Sequence, residues 1–228
     1  ISVPAERRAL AARRFGATCI VSGRHDMALP GLSFISLAGL SFDGSSIPPD
    51  TEIHPVEDDT PFRIAISSGT SGDPKGMVIT HALMANRNRR PEPGFTPQSR
   101  VIPMDMAFAV GFGPVIRTLA AGACIILPKS MNPEQLLHAA VSHNATHLTL
   151  SPAQALGMVD LLATSGVRCP NLVCLRIGGG PLTTPLLEEV RRKLSTNEYV
   201  MYGSTEAGII SYASSEILDR HSTSVGQI

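Results

Sequence analysis

The sequence predicts an α/β protein, a layered and mostly parallel sheet of βα units with flanking helices. Three observations predict it. From Arg100 onward, short apolar runs alternate with helical stretches across turns, which is the pattern of successive βα units. Helix-start signals recur within that region: Asn132-Pro133, Ser151-Pro152 and Thr184-Pro185 each set a proline in a first helical turn, where its missing N–H costs nothing. The run from Thr146 to Leu150, ending at the helix start Ser151-Pro152, reads as a buried strand.

Taken in order, Glu6 to Arg14 reads as an amphipathic helix leading into an apolar strand over Ala17 to Ser22, and because Ile1 is not a methionine the chain is expected to begin inside a domain. Pro30 to Pro55, rich in Gly, Ser, Pro and Asp, reads as a long loop or linker. Residues 1–60 are therefore assigned to a partial N-terminal subdomain and loop, and residues 61–228 to the core. In the core, Val101 to Pro103 is a short strand, Gly113 to Ala121 a helix and Ala123 to Leu127 a strand. Asn132 caps the next helix, and Thr146 to Leu150 follows as a strand. Ser151-Pro152-Ala153-Gln154 reads as a capping box whose helix runs to about Thr164 and stops at Gly166. Leu172 to Ile177 is another strand. The helix from Thr184 to Lys193 carries Glu188 and Glu189 early and Arg191, Arg192 and Lys193 late, as the helix dipole prefers. Glu198 to Met201 closes the series as a strand.

Composition bounds the function. With 43% hydrophobic and 17% charged residues in 228, the chain can bury a sizeable core, which excludes disorder. Nineteen basic residues balance nineteen acidic ones, so no net field favours nucleic acid or an anionic membrane, and the basic cluster Arg87 to Arg90 is too short to change that. The expected partner is a small molecule. Cys19, Cys124, Cys169 and Cys174 are widely spread without a C-x-x-C pair and read as reduced core thiols of a cytoplasmic protein. No apolar stretch reaches the roughly 18 residues of a membrane span, and no signal-peptide pattern opens the chain. His138, His143 and His147 lack metal-ligand spacing, and His81 reads as the end of a strand. The sequence sets no oligomeric state.

The most informative stretch begins at Ile64. An apolar strand runs into Ser67-Ser68-Gly69-Thr70-Ser71-Gly72, six small residues of which four are hydroxylic, then Asp73-Pro74-Lys75-Gly76 and a second apolar strand ending at Thr80-His81. Small side chains let several N–H and hydroxyl groups approach a polyphosphate together, and Lys75 adds a point charge. The spacing is not that of a Walker A loop, because Gly76 stands where a Mg²⁺-binding hydroxyl would be needed.

Ser67 to Gly76 closely resembles the signature of the AMP-binding, adenylate-forming superfamily, whose members include acyl-CoA synthetases, firefly luciferase and the adenylation domains of peptide synthetases. Ile177-Gly178-Gly179-Gly180-Pro181-Leu182, which alone would read as a tight β-to-α turn, resembles that family's adenine-binding turn. Met201-Tyr202-Gly203-Ser204-Thr205-Glu206-Ala207-Gly208 resembles its Y-G-x-T-E motif, and Ser224-Val225-Gly226 the segment that follows. The resemblance implies the N-terminal domain of an adenylate-forming enzyme using ATP and Mg²⁺. It implies nucleotide binding by Ser67, Ser68, Gly69, Thr70, Ser71, Gly72, Lys75, Gly178, Gly179, Gly180, Pro181, Tyr202, Gly203, Ser204 and Thr205. Tyr202 would stack on adenine, Thr205 would bond the α-phosphate and Glu206 would hold Mg²⁺, a hard cation suited to carboxylate oxygen. Lys75, Thr205 and Glu206 are the implied catalytic groups.

The implied reaction is attack of a substrate carboxylate on ATP to give an acyl-adenylate, with coenzyme A as the expected second substrate. Positioning and charge stabilisation carry such chemistry, through the phosphate loop and Lys75 on one side and Glu206 on the other. An adenylation unit loading a carrier protein, and a non-catalytic nucleotide-binding fragment, stand as alternatives. The family's ribose-binding aspartate, hinge and C-terminal lid with its lysine would lie beyond Ile228, so the chain is expected to lack the lid and to be incomplete alone. Pro103-Met104-Asp105-Met106 resembles the family's P-L-F-H segment, with Met106 where many acyl-CoA synthetases carry histidine. Met106, Phe108, Val110 and Phe112 are expected to line the acyl pocket and to suit an apolar or aryl acid, although they also read as core. Phe108 falls near the position that pairs with a substrate ammonium in the peptide synthetases, which disfavours an α-amino acid. Asp105 is the other candidate for that pairing.

Overall fold

A computed structural model describes residues 4–38, 54–67, 75–89, 95–195 and 197–226. The chain divides into two compact units, one of residues 1–57 and 67–76, the other of residues 58–66 and 77–228. In the first unit, helix α1 (Ala5–Arg14) precedes strand β1 (Cys19–Ser22), a 3-10 turn (His25–Met27) and strand β2 (Ser33–Ser36). β1 and β2 pair in parallel with Cys19 opposite Ser33, and Arg8 Nη1 donates to the Met27 carbonyl at 3.3 Å, tying the helix to the turn. The stretch expected to be all loop thus contains a strand, too short for its alternation to register as one.

β3 (Pro61–Ser67) and β4 (Lys75–Thr80) form a two-stranded sheet. α2 (His81–Asn88) follows at once, with Thr80 as N-cap, its hydroxyl accepting from the Leu83 N–H at 3.2 Å. His81 therefore opens a helix instead of ending a strand. Ala65, Ile79 and Met84 make the small core that joins these elements, with Met77, Leu83 and Phe112 packed against it.

The rest of the second unit is built on a six-stranded sheet. Its strands are β5 (Arg100–Ile102), β6 (Cys124–Ile125), β7 (His147–Leu150), β8 (Cys174–Gly178), β9 (Glu198–Ser204) and β10 (Gly208–Ser214), in the spatial order β10-β9-β8-β7-β5-β6. β5 through β9 run parallel, and β10 closes one edge antiparallel to β9. The mostly parallel sheet of βα units is as the sequence predicts. Helices α3 (Ala109–Ala120), α4 (Pro133–Ser142), α5 (Pro152–Ser165) and α6 (Thr184–Lys193) fill the connections, and α7 (Ser215–Arg220) follows β10. α4 packs on α5 and α5 on α6, while α3 packs on α2. Every residue of β7 and β8 is buried, and the main core spreads from Ile102, Leu148, Leu150, Leu175 and Ile177 to Leu136, Met158 and Val190 of the covering helices.

The helix starts behave as read. Asn132 Oδ1 accepts from Gln135 N at 2.9 Å. Ser151 and Gln154 form a complete capping box, and Gly166 ends α5 in the left-handed conformation at φ 68°. Two elements differ. α3 begins at Ala109, four residues before the expected Gly113, and runs through Pro114. Packing decides this against propensity, because Gly111 lies so close to the segment before the helix that a Cβ there would sit 2.2 Å from the Asp105 carbonyl oxygen. β9 extends three residues past Met201 and turns back into β10, which the sequence reading does not contain. All four cysteines are free, but only Cys174 is the buried core thiol expected from the sequence; Cys19 and Cys169 are half-buried and Cys124 is exposed on the edge strand β6.

One buried charge secures the β9 side. The Glu198 side chain is 0% exposed, and Arg191 Nε meets it at 2.5 Å. The same guanidinium pairs with Asp219 at 2.8 Å and donates to the Ser215 carbonyl at 3.1 Å, so α6, β9 and α7 share one clamp. Burial alone would lower the Arg191 pKa, but the hydrogen bonds and charges of Glu198 and Asp219 together outweigh it and raise it above its ordinary value. Arg191→Met should destabilise the fold by about 2–3 kcal/mol, less than a fully buried pair because Arg191 is partly exposed. Ser151→Ala should cost about 1 kcal/mol through loss of the cap. Urea denaturation followed by circular dichroism checks both, and equal midpoints for wild type and variant would contradict either assignment.

Candidate functional site

The sheet's strand order reverses at β5, whose neighbours β6 and β7 both follow it in sequence. Open α/β sheets bind ligands outside the carboxyl ends of their strands at such reversals. Two strands from that reversal, the chain leaving β8 on the same carboxyl edge is Gly178-Gly179-Gly180-Pro181, with Gly178 buried and the next three residues exposed. A Cβ on Gly178 would lie 3.0–3.1 Å from the Met201 side chain and carbonyl oxygen, so a larger residue there would require Met201 to shift. Gly179 takes φ +83°, in the left-handed region that favours glycine. Around the turn stand Met104, whose methyl is 3.7 Å from the position of a Gly179 Cβ, and Pro152, 3.6 Å from that of Gly180. The carboxyl ends of β5, β7 and β8 thus meet at this turn, beside Met201 in the middle of β9.

Beside it lies the β9–β10 hairpin. Tyr202 is 53% exposed. A Cβ on Gly203 would come within 2.2 Å of the Gly208 carbonyl oxygen, so the two strands close tightly, and the register shifts between Ile209 and Ser211. Thr205, half-buried, and Glu206, exposed, occupy the turn. Ser204 Oγ accepts from the Ala207 N–H at 3.1 Å, and Gly208 leaves the turn at φ +73°. The segment Ser224-Val225-Gly226 is pinned to β10, since Ser211 Oγ donates to the Val225 carbonyl at 2.6 Å and a Gly226 Cβ would collide with Tyr212.

Arginines that the sequence reading passed over hold both neighbouring loops. Arg87 of α2 donates through Nη2 to the Glu206 carbonyl at 2.7 Å and more weakly to that of Thr205 at 3.4 Å, and its own carbonyl accepts from Arg117 Nη1 of α3 at 3.2 Å. Arg63 of β3 donates through Nη2 to the Met106 and Ala107 carbonyls at 3.2 and 2.9 Å, with its guanidinium carbon 4.3 Å from the Phe112 ring centroid. Burial pushes both guanidinium groups, Arg63 and Arg87, below their ordinary value. A half-buried arginine far along the chain leaves no local pattern, and the only signal for Arg87 was the short basic cluster that composition dismissed.

The expected acyl-pocket residues separate. Met106 and Phe108 are exposed at 39% and 60%, just before α3, in the segment that Met104 brings to the glycine turn. Val110 and Phe112 are half-buried in α3, and Phe112 packs on the β3–β4–α2 core and tilts against Phe62, centroids 6.0 Å apart. Asp105 Oδ1 accepts from the Ala107 N–H at 2.9 Å, so this carboxylate serves its own turn. Of the phosphate-loop candidates, Ser67 ends β3 and Lys75, exposed, opens β4. Ser68, Gly69, Thr70, Ser71 and Gly72 lie outside the described residues. Among the described residues no group of three His, Cys, Asp or Glu side chains gathers as a metal cage, and no helix is long and apolar enough to cross a membrane.

Residues 6–228 match the family model described as AMP-binding enzyme. The chain belongs to this adenylate-forming family. It is 32% identical over 176 residues to the nonribosomal peptide synthetase chyA of Penicillium rubens, covering 74% of this chain and 7% of that protein. To the 2-succinylbenzoate–CoA ligase of Bacillus licheniformis it is 29% identical over 153 residues, 65% of this chain and 31% of the relative. Among solved structures, the O-succinylbenzoate coenzyme A synthetase of Bacillus subtilis, in complex with ATP and magnesium ion, superposes with a TM-score of 0.76 at 22% identity, covering 99% of this chain and 48% of that one. The chain thus spans less than a third of these curated relatives and about half of the solved structure. The AMP-binding core has the fold of the adenylate-forming N-terminal domain, and its hairpin glycine makes a direct prediction. Gly203→Ala should destabilise the chain by about 2–3 kcal/mol through overpacking against Gly208, and a thermal melt unchanged from wild type would show that the strands can part.

Proposed function

We propose that the native protein activates a carboxylic acid with ATP as an acyl-adenylate and then passes the acyl group to the thiol of coenzyme A, the acyl–phosphate bond breaking and AMP leaving. What supports this reading is the convergence of the glycine turn, the Tyr202–Gly208 hairpin and the Met104–Phe108 segment at the carboxyl edge of one sheet, in a member of the AMP-binding family. In the first step a carboxylate oxygen of the acid forms a bond to the α-phosphorus, the bond from that phosphorus to the bridging oxygen breaks, and pyrophosphate leaves. Both reactants are anions. In this reading Gly178, Gly179, Gly180 and Pro181 take the adenine edge and Tyr202 stacks on the base. Thr205 bonds the α-phosphate, while Ser67 through Gly72 and Lys75 hold the remaining phosphates.

The donor set fits Mg²⁺. A single exposed carboxylate, Glu206, without a surrounding cage of ligands, suits an ion that binds one or two carboxylates plus substrate phosphates and keeps several waters. Mg²⁺ held there would neutralise phosphate charge. The acid is assigned as apolar or aryl, since Met106 and Phe108 present exposed apolar surface beside the turn. An α-amino acid is disfavoured because Phe108 stands near the position that pairs a substrate ammonium in the peptide synthetases, and an unpaired ammonium in an apolar pocket is costly.

ATP–pyrophosphate exchange by the native protein tests the proposal across fatty acids, aryl acids and amino acids, with coenzyme A and a phosphopantetheinyl carrier compared as acceptors. Exchange should require Mg²⁺, prefer apolar or aryl acids and yield a coenzyme A thioester. Glu206→Gln should lower the exchange rate about a hundredfold. Exchange with amino acids alone, or transfer only to the carrier, would replace this reading with an adenylation unit, and nucleotide binding without any exchange would make the chain non-catalytic.

A further inference from the structure

Resting on that reading, we infer that Arg87 is a positioning residue for the nucleotide and metal site, acting through the main chain of the Thr205–Glu206 turn. Its Nη2 reaches the carbonyls of the two residues whose side chains are assigned to phosphate and Mg²⁺, at 3.4 and 2.7 Å. A hydrogen bond to a carbonyl fixes the peptide plane on which the Thr205 hydroxyl and the Glu206 carboxylate are carried. The paired strands β9 and β10 fix the two ends of this turn at Ser204 and Gly208, and Arg87 holds two of the residues between them. Glu206 is exposed, and the Ser204–Ala207 bond is the local side-chain contact.

The clamp itself is braced. Thr80 caps the start of α2, Arg117 Nη1 holds the Arg87 carbonyl, and the Arg87 guanidinium lies against Gly208, where an added Cβ would be 3.2 Å from Nε. Gly208 at φ +73° therefore serves twice, as the turn's left-handed residue and as room for the guanidinium. No carboxylate is paired with Arg87 among the described residues, and its Nε has no hydrogen-bond partner there. A cation buried for stability alone would be expected to meet an acid, as Arg191 meets Glu198. Arg87 instead spends its donors on one loop. Its placement links α2, directly after the phosphate hairpin in sequence, to the turn that follows β9.

Amide hydrogen exchange and MgATP binding, measured on the native protein with Arg87→Met and Arg87→Lys, test this. The Met variant should lose protection at Thr205 to Gly208 while β7 and β8 keep theirs. Its Kd for MgATP should rise about tenfold, equivalent to ~1.4 kcal/mol, with a smaller change for ATP without Mg²⁺. Lysine keeps the charge but offers a point donor in place of a fork, so it should fall between, and it carries the same comparison if the Met variant does not fold. Unchanged protection at the turn, or equal losses with and without Mg²⁺ accompanied by loss of protection throughout the sheet, would overturn the clamp. Wild type that fails to bind MgATP would instead overturn the functional reading on which it rests, whereas wild-type binding with an unaltered variant overturns the clamp alone.

Discussion

The burial of β7 and β8 on both faces is the constraint from which the arrangement of this chain follows. A strand without a solvent face must place every main-chain group in the sheet ladder and every side chain in a packed layer. Parallel neighbours meet the first demand, and they require crossover connections, which the helices supply. The consequence for the site is geometric. All parallel strands deliver their carboxyl ends to one edge, so segments distant in sequence, after β5, β7 and β8, meet around the glycine turn. Of the polar side chains buried in this layer, Glu198 is answered by the Arg191 clamp, which ties the β9 side to the helices.

Much of this was legible from the chain because it depends on local chemistry. Asn132 and Ser151 cap helices wherever they stand before a proline and an apolar stripe, and Gly166 ends one because it alone tolerates the left-handed exit at no steric cost. The start of α3 was not legible. Gly111, Gly113 and Pro114 argue against helix locally, and only the contact of Gly111 with the Met104–Asp105 main chain shows why the helix begins early. β10 went unread for a related reason: the bulge between Ile209 and Ser211 interrupts its alternation, and its pairing depends on Gly203 in the strand before it.

The site divides along the same line. Glycines at the turn and the Tyr202–Gly208 run declare themselves because an absent side chain is visible in a sequence. Arg63 and Arg87 do not, since an arginine in a strand or on a helix reads as a solvated charge, and each meets its acceptors tens of residues or more than a hundred residues away. Phe112 reads from the sequence as pocket or core alike, and it packs on the Ala65–Ile79–Met84 cluster.

The arginines of the second unit solve two different problems. Arg191 answers a buried carboxylate, so its charge is cancelled within the fold and contributes stability. Arg63 and Arg87 answer carbonyl dipoles, which satisfy donors without cancelling charge, and neither is paired with an acid among the described residues. Partial burial disfavours a cation, as the lowered values of both groups indicate. Net positive charge retained at loops that flank the carboxyl edge of the sheet is therefore kept against a cost. In the proposed function such charge would offset the repulsion between a carboxylate and a polyphosphate, both of them anions.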